Sequence, residues 1–189
     1  MSVISSAKST VMVDPPVTQT VFGDVRWSWL WLVARLYVGY TWISAGIGKL
    51  GNPVWMSGVA LKGFWTNAVA IPEAPAHPAI TFGWYRAFLQ AMLDSGSYTW
   101  FSKLVVAGEI LIGAALILGL FTGIAAFFGG FMNWNFMMAG TASSNPVLFT
   151  LAILLILAWK TAGWIGLDHW VLPALGTPWQ PGKLLKKSE

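Results

Sequence analysis

Long apolar stretches with few charges dominate the chain, and their length is the first structural signal. Crossing a hydrocarbon core of about 30 Å takes about 20 helical residues at about 1.5 Å each. Four stretches reach that length: Trp27 to Leu50, Lys103 to Phe121, Thr122 to Gly140 and Pro146 to Ile165. They predict an all-α membrane protein, a four-transmembrane-helix bundle. Gly119-Leu-Phe-Thr-Gly123 leaves little room between the second and third spans, which predicts a tight antiparallel hairpin. Asn145-Pro146 marks the next turn, with the proline placed to start a helix.

Between the first two spans lies a loop, residues 51–101, too long for a simple connection and too apolar for a soluble domain. Trp84, Tyr85, Phe88, Leu89 and Met92 recur at helical spacing beside Arg86, Gln90 and Asp94, the pattern of an amphipathic interfacial helix. Trp55, Val59, Lys62 and Thr66 predict a second one over about 54–69, and Pro72, Pro75 and Pro78 break the path between them. Such a pair forms either a porch over a site at the outer face or a structural cap. Residues 1–26 form a polar arm without the apolar core of a cleavable signal peptide, and 171–189 a basic tail.

Composition strengthens the membrane reading. The chain is 56% hydrophobic and 10% charged, too little polar surface to wrap a soluble core of 189 residues. The net charge of +4 is scattered rather than gathered into an aromatic-interleaved basic patch, so nucleic acid is not an expected partner. Without cysteine there is no disulfide, thiolate metal site, iron–sulfur cluster or covalent haem attachment. Lys8, Arg26, Lys183, Lys186 and Lys187 place both termini on the cytoplasmic side of the cell membrane, against the smaller pull of Lys49, Lys62, Arg86 and Lys103. Trp27, Trp29, Trp31, Trp100, Trp164 and Trp170 flank span ends as an interfacial aromatic belt would.

Ionisable residues inside a span are costly unless paired, which directs attention to Arg35 and Glu109. Counted from the span ends, Arg35 lies about 12 Å from the inner edge and Glu109 about 10 Å from the outer edge, a difference of about 8 Å that a long side chain spans. The two form either a buried site for a polar ligand or proton, or a salt bridge that sets helix register. Arg35, Gly39, Trp42, Gly46 and Lys49 share one stripe, which should face the bundle. Asn133 falls near the depth of Glu109 and is its better partner; Asn135, about 200° around the helix, serves a different contact. Lys160 lies within snorkelling reach of the inner surface, and Asp168-His169 reads as an interfacial polar cap. No spacing of histidines or carboxylates predicts a metal site.

The segments RLYVGYTWISAGIGKL (35–50), GEILIGAALILGLFT (108–122), MNWNFMMAGTASSNP (132–146) and AGWIGLD (162–168) together resemble the DoxX/DoxD family of small membrane proteins. The resemblance spans residues 27–170. It implies a four-helix bundle tied to quinone-dependent redox chemistry, in the best-described case thiosulfate:quinone oxidoreduction with a DoxA-like partner. This sequence closes at Glu189 without a second DoxA-like domain, so catalysis by this chain alone is not expected, and the expected partners are other membrane subunits, a DoxA-like chain or a larger assembly. The family's polar positions would fall on Arg35, Lys49, Glu109, Asn133 and Asn145.

On this reading Arg35 and Glu109 are the catalytic candidates. Trp42, Lys49, Lys103 and Asn133 are the candidates for binding quinone or an anionic substrate, with Arg86 as a further cation. No covalently bound cofactor is expected; a membrane quinone, held non-covalently, is the cofactor the resemblance allows. A non-catalytic subunit of a larger respiratory or photosynthetic complex is the second reading, and a small-molecule permease the third.

Overall fold

The computed structural model describes residues 3–6, 9–177 and 180–184; Lys8, Lys186 and Lys187 lie outside them. The chain is mostly helical, and four helices form its body: α2 (Ser28–Leu50), α6 (Tyr98–Leu118), α7 (Thr122–Met138) and α8 (Asn145–Leu157). Before them come a hairpin of β1 (Val3–Ser6) and β2 (Ser9–Met12), a turn of helix α1 (Pro16–Thr18), and π and 3₁₀ turns to Trp27. After α2 stand α3 (Pro53–Met56), α4 (Val59–Val69) and α5 (Gly83–Asp94); after α8 come α9 (Trp159–Ala162), α10 (Asp168–Leu175) and the small pair β3 (Gly176–Thr177) and β4 (Gln180–Pro181).

The closest pairing in the bundle is α2 on α6, followed by α7 on α8. Glycines set the first of these. A β-carbon on Gly113 would lie 2.5 Å from the Ile43 nitrogen, and one on Gly39 3.0 Å from the Gly113 carbonyl, so the two backbones touch where side chains are missing. Around this seam Trp31, Val38, Trp42, Ile112, Leu116, Ala126, Leu148 and Leu155 form the main core.

The outward faces are apolar too. Val33, Tyr37, Tyr40 and Ile47 on α2, Leu104 and Leu111 on α6, Phe127, Phe128 and Phe131 on α7, and Val147 and Ile153 on α8 are all exposed. By length and composition α6 is, among the described residues, the one helix able to cross a membrane, with a mean hydropathy of 2.0. The longer α2 carries Arg35 and Lys49, while α7 and α8 have 17 and 13 residues.

Three boundaries differ from those expected. α6 begins at Tyr98, five residues before Lys103, because its first turn packs on the preceding loop rather than ending with the apolar run. The Trp65 and Phe101 rings lie 5.5 Å apart there, and Gly58 abuts Tyr98. The last apolar stretch is not one helix to Ile165. It leaves helical geometry at Ala158 (φ −92°, ψ 14°), and residues after Ala162 fold back so that Leu167 and Asp168 donate to the Leu118 and Gly119 carbonyls. These tertiary hydrogen bonds satisfy a backbone that hydropathy alone reads as helix. Nor is the arm wholly polar and free: Phe22 stacks on Trp31 at 5.3 Å, Trp31 Nε1 donates to the Val21 carbonyl, and Thr161 Oγ1 to that of Phe22. Trp31 is accordingly buried rather than part of an exposed belt, while Trp29, Trp100, Trp164 and Trp170 are exposed. The arm and the α9–α10 segment meet at the same end of the bundle.

The helix predicted around Trp84 to Met92 forms as α5, but the one expected over about 54–69 is broken at Gly58 (φ 84°) into α3 and α4, and together with Ala139 the loop segment builds a second core of Leu61, Trp65, Ala68, Ile80, Tyr85 and Leu89. This cap sits on the end of the bundle opposite the termini. Tyr85 fastens it: its hydroxyl donates to the Asn135 carbonyl (3.0 Å) and approaches Asn135 Oδ1 (3.2 Å), which is the separate contact expected of Asn135. Burial pushes the Tyr85 phenol from 10.0 up to about 12. The folded state therefore holds this proton more tightly than the unfolded state. Its contribution is complete below pH 10 and is lost as pH rises from 10 toward about 12. The protection of the α5 amides relative to their intrinsic, base-catalysed exchange should fall across that window. In Tyr85→Phe that alkaline fall in protection should vanish, with about 1 kcal/mol of cap stability already lost at neutral pH.

Candidate functional site

The candidate residues divide between two levels of the bundle. At the capped end, Lys49 Nζ lies 2.7 and 2.8 Å from the two carboxylate oxygens of Glu109. Both helices contribute to this geometry. Glu109 faces inward on the stripe shared with Val105, Ile112 and Leu116, and side chains on a helix lean toward its N-terminus, which carries Lys49 back down α2 toward the level of Gly46. Gly46 makes the space, since a β-carbon there would stand 3.1 Å from Glu109 Cβ. Glu109 is 1% exposed and Lys49 20%, so the pair is buried from the carboxylate side and reachable from the ammonium side. The Trp55 ring at the start of the cap stands 5.1 Å from Lys49 Nζ, close enough for a cation–π contact.

Asn133 enters from α7. Gly129, one turn earlier on the same face, approaches Trp42 Nε1 and Ile112, and Met132 approaches Gly108, which puts Asn133 at the level of Glu109. Its side chain is fully buried, and neither amide atom has a hydrogen-bond partner; Trp42 Nε1 is likewise buried and unpaired. Buried polar atoms are almost always satisfied, so three such atoms near the level of a buried ion pair mark a polar interior that side-chain packing does not account for. The cluster offers an ammonium, a carboxylate, an amide with both donor and acceptor, and an indole N–H, all within apolar walls.

Arg35 belongs elsewhere. It is 1% exposed and donates from Nη2 to the Ile165 carbonyl at 2.7 Å, beside Gly119 and Gly166. Glu109 is level with Gly46, eleven residues further along α2, or about 16 Å. The expected Arg35–Glu109 bridge is therefore not formed. Its span-end count placed the two about 8 Å apart because it assumed level helix ends, whereas α6 overshoots α2 and climbs beside the cap. Arg35 instead secures a knot at the other end, where the Asp168 carboxylate accepts from the Phe121 and Thr122 amides at 2.6 and 2.8 Å and so caps α7. Asp168 is thus a buried tertiary cap rather than an interfacial one. Its sequence signal was the proximity of a carboxylate to a turn far away in the chain, which no local pattern reveals.

Lys103 also leaves the group. It is exposed, six residues and about 120° around α6 from Glu109. Arg86 turns inward to the Ile80 carbonyl within its own cap. Among the described residues no cluster of three or more His, Asp or Glu is arranged to hold a metal ion. Against protein-family models, curated proteins and solved structures, the chain shows no match.

Proposed function

We propose that the chain is a DoxX/DoxD-like integral membrane subunit, four spans deep, whose Lys49–Glu109–Asn133–Trp42 cluster binds the headgroup of a membrane quinone. Support for the membrane comes from charge placement. The four body helices carry only Arg35, Lys49, Lys103 and Glu109, two of them fully buried, while their outward faces hold aliphatic and aromatic side chains. An exposed apolar surface of that extent suits lipid rather than water. α2 and α6 measure about 34 and 31 Å, and α7 and the α8–α9 pair about 26 and 27 Å, lengths that suit a hydrocarbon core. An even number of spans agrees with the arm and α10 meeting at one end, and the excess of basic residues in the terminal segments of the sequence (Lys8, Arg26, Lys183, Lys186 and Lys187) over Lys49, Lys62, Arg86 and Lys103 near the first loop favours the cytoplasm for that end.

The observation that carries the redox reading is the buried, unpaired Asn133 amide at the level of the buried Lys49–Glu109 ion pair. A quinone carbonyl accepts hydrogen bonds from an amide, an indole or an ammonium, and its reduction takes up two electrons and two protons. Glu109 exchanges one of those protons, and Lys49 holds the carboxylate in place while linking it to the exposed side. In the thiosulfate chemistry that the family resemblance suggests, two thiosulfate anions join through a new S–S bond and release the two electrons, a step assigned to a DoxA-like partner. Arg35 is a structural anchor in this scheme.

The test is quinone content and turnover. Protein isolated in gently solubilised native membrane should retain quinone, and thiosulfate-dependent quinone reduction by the isolated complex should fall about 100-fold in Glu109→Gln, the range for loss of a general acid–base group. Retained quinone without any effect of Glu109→Gln or Asn133→Leu would refute the site. Stable copurification with a large complex whose turnover ignores both substitutions would establish the accessory-subunit reading instead.

A further inference from the structure

At the end opposite the cap, the arm and the end of α8 enclose an open cleft of about 1000 Å³. Asp14, Gln19 and Asp24 line it on the arm, and Leu157, Trp159 and Lys160 on the helical side. Its charges are unequal in what they are free to do. Asp24 is committed to Arg26, accepting from the backbone amide at 2.9 Å and from Nε and Nη2 at 2.8 and 2.6 Å. Asp14 engages through its backbone carbonyl, which accepts from Gln19 Nε2, while its exposed carboxylate forms no ion pair among the described residues. Lys160 is exposed, with its ammonium 5.4 Å from the Trp159 ring centre and no carboxylate partner among the described residues.

Among the described residues, an ammonium without a carboxylate partner and a carboxylate without a cation thus line one cleft from two different segments of the chain. Directly below it the surface of α8 continues as exposed Leu157 and Ile153. A ligand that matches this sequence of features has a phosphate, a primary ammonium and a hydrocarbon chain. We propose that the cleft binds one aminophospholipid, with the phosphate on Lys160, the ammonium on Asp14 and an acyl chain along Leu157 and Ile153. The cleft is not the quinone cluster and lies at the other end of the bundle. The proposal rests on the membrane reading of the body helices but not on the redox reading.

The primary ammonium is the discriminating element. It donates hydrogen bonds to a carboxylate and to the Gln19 and Thr20 oxygens at the cleft wall, as a trimethylated ammonium cannot, and an anionic glycerol headgroup offers Asp14 no cation at all. Lys160 therefore selects the phosphate, which all three headgroups share, and Asp14 selects among them.

The experiment is lipid retention by native mass spectrometry. The full chain is exchanged into bilayers of equal parts phosphatidylethanolamine, phosphatidylcholine and phosphatidylglycerol, then released into detergent stepwise. One phosphatidylethanolamine per chain should persist longest. Lys160→Met and Asp14→Asn should each weaken its retention about 10-fold, as for loss of one charge-assisted hydrogen bond, while Lys62→Met in the cap should leave it unchanged. Asp14→Asn should also erase the preference over phosphatidylcholine, a readout that a misfolded variant would not give, and helix content by circular dichroism checks each variant. Soluble phosphoethanolamine should compete only at far higher concentration, because it lacks the chain that lies on α8. Equal retention of all three lipids, or wild-type retention in both cleft variants, would overturn the proposal. Protein that never enters the bilayer would overturn the membrane reading itself.

Discussion

Lys49→Met should destabilise the protein by about 3–5 kcal/mol, the largest effect expected of any single charge removal, because it strands Glu109 in the bundle. The carboxylate is 1% exposed and both of its oxygens are bonded to Lys49. Without the ammonium it must ionise alone in apolar surroundings or take up a proton, and either outcome costs free energy that the pair avoids. Unfolding in mixed micelles with increasing sodium dodecyl sulfate, followed by tryptophan fluorescence, measures the loss. Lys49→Met/Glu109→Leu should recover most of it, since an apolar pair of similar volume needs no compensation. A double variant as unstable as the single one would show that packing around Lys49, not its charge, is what matters. The same double variant tests the quinone proposal apart from stability: it should fold well, and under that proposal it should fail to turn over quinone.

Within the four body helices Gly113→Ala should be the most damaging glycine substitution, at about 3 kcal/mol, and Gly113→Leu should prevent assembly of α2 on α6. The new β-carbon would stand 2.5 Å from the Ile43 nitrogen, 2.7 Å from its β-carbon and 2.8 Å from the Gly39 carbonyl. Two of those three are backbone atoms, so relief requires the helices to part. Separation would in turn pull Lys49 from Glu109, and quinone turnover should fall together with stability. Two controls isolate the mechanism. Gly108→Ala meets the flexible Met132 thioether at 3.3 Å and should cost little, and Gly48→Ala meets nothing within 4 Å and should stabilise α2 by about 1 kcal/mol through helix propensity. Thermal melting of the four variants in one detergent ranks them; equal melting temperatures for Gly113→Ala and Gly48→Ala would contradict the close seam.

Several features were readable from local pattern because local physics decides them. The stripe Arg35, Gly39, Trp42, Gly46, Lys49 faces inward as its spacing requires, and all of it except Lys49 is fully buried. The loop helix α5 forms where apolar residues recur at helical spacing, and the prolines at 72, 75 and 78 keep the stretch before it non-helical, whereas the break at Gly58 that divides α3 from α4 was not read from spacing. Asn133 and Asn135 part to different neighbours because residues two apart point to opposite sides of a helix.

What one-dimensional counting could not provide was the offset between helices. The partner of Glu109 is Lys49 rather than Arg35 because α6 slides past the end of α2 until Gly46 and Gly113 find the backbone they fit, and that register is a property of the interface. The same holds for the burial of Asp168, whose carboxylate accepts from a backbone amide 46 residues away in the chain. The sequence by itself determined the helices, their inward faces and the shortage of charge, since each follows from residue spacing and hydrophobicity. Only the tertiary structure decided which buried charges meet, because contact between helices depends on their relative height, and close glycine packing rather than any periodic signal sets that height.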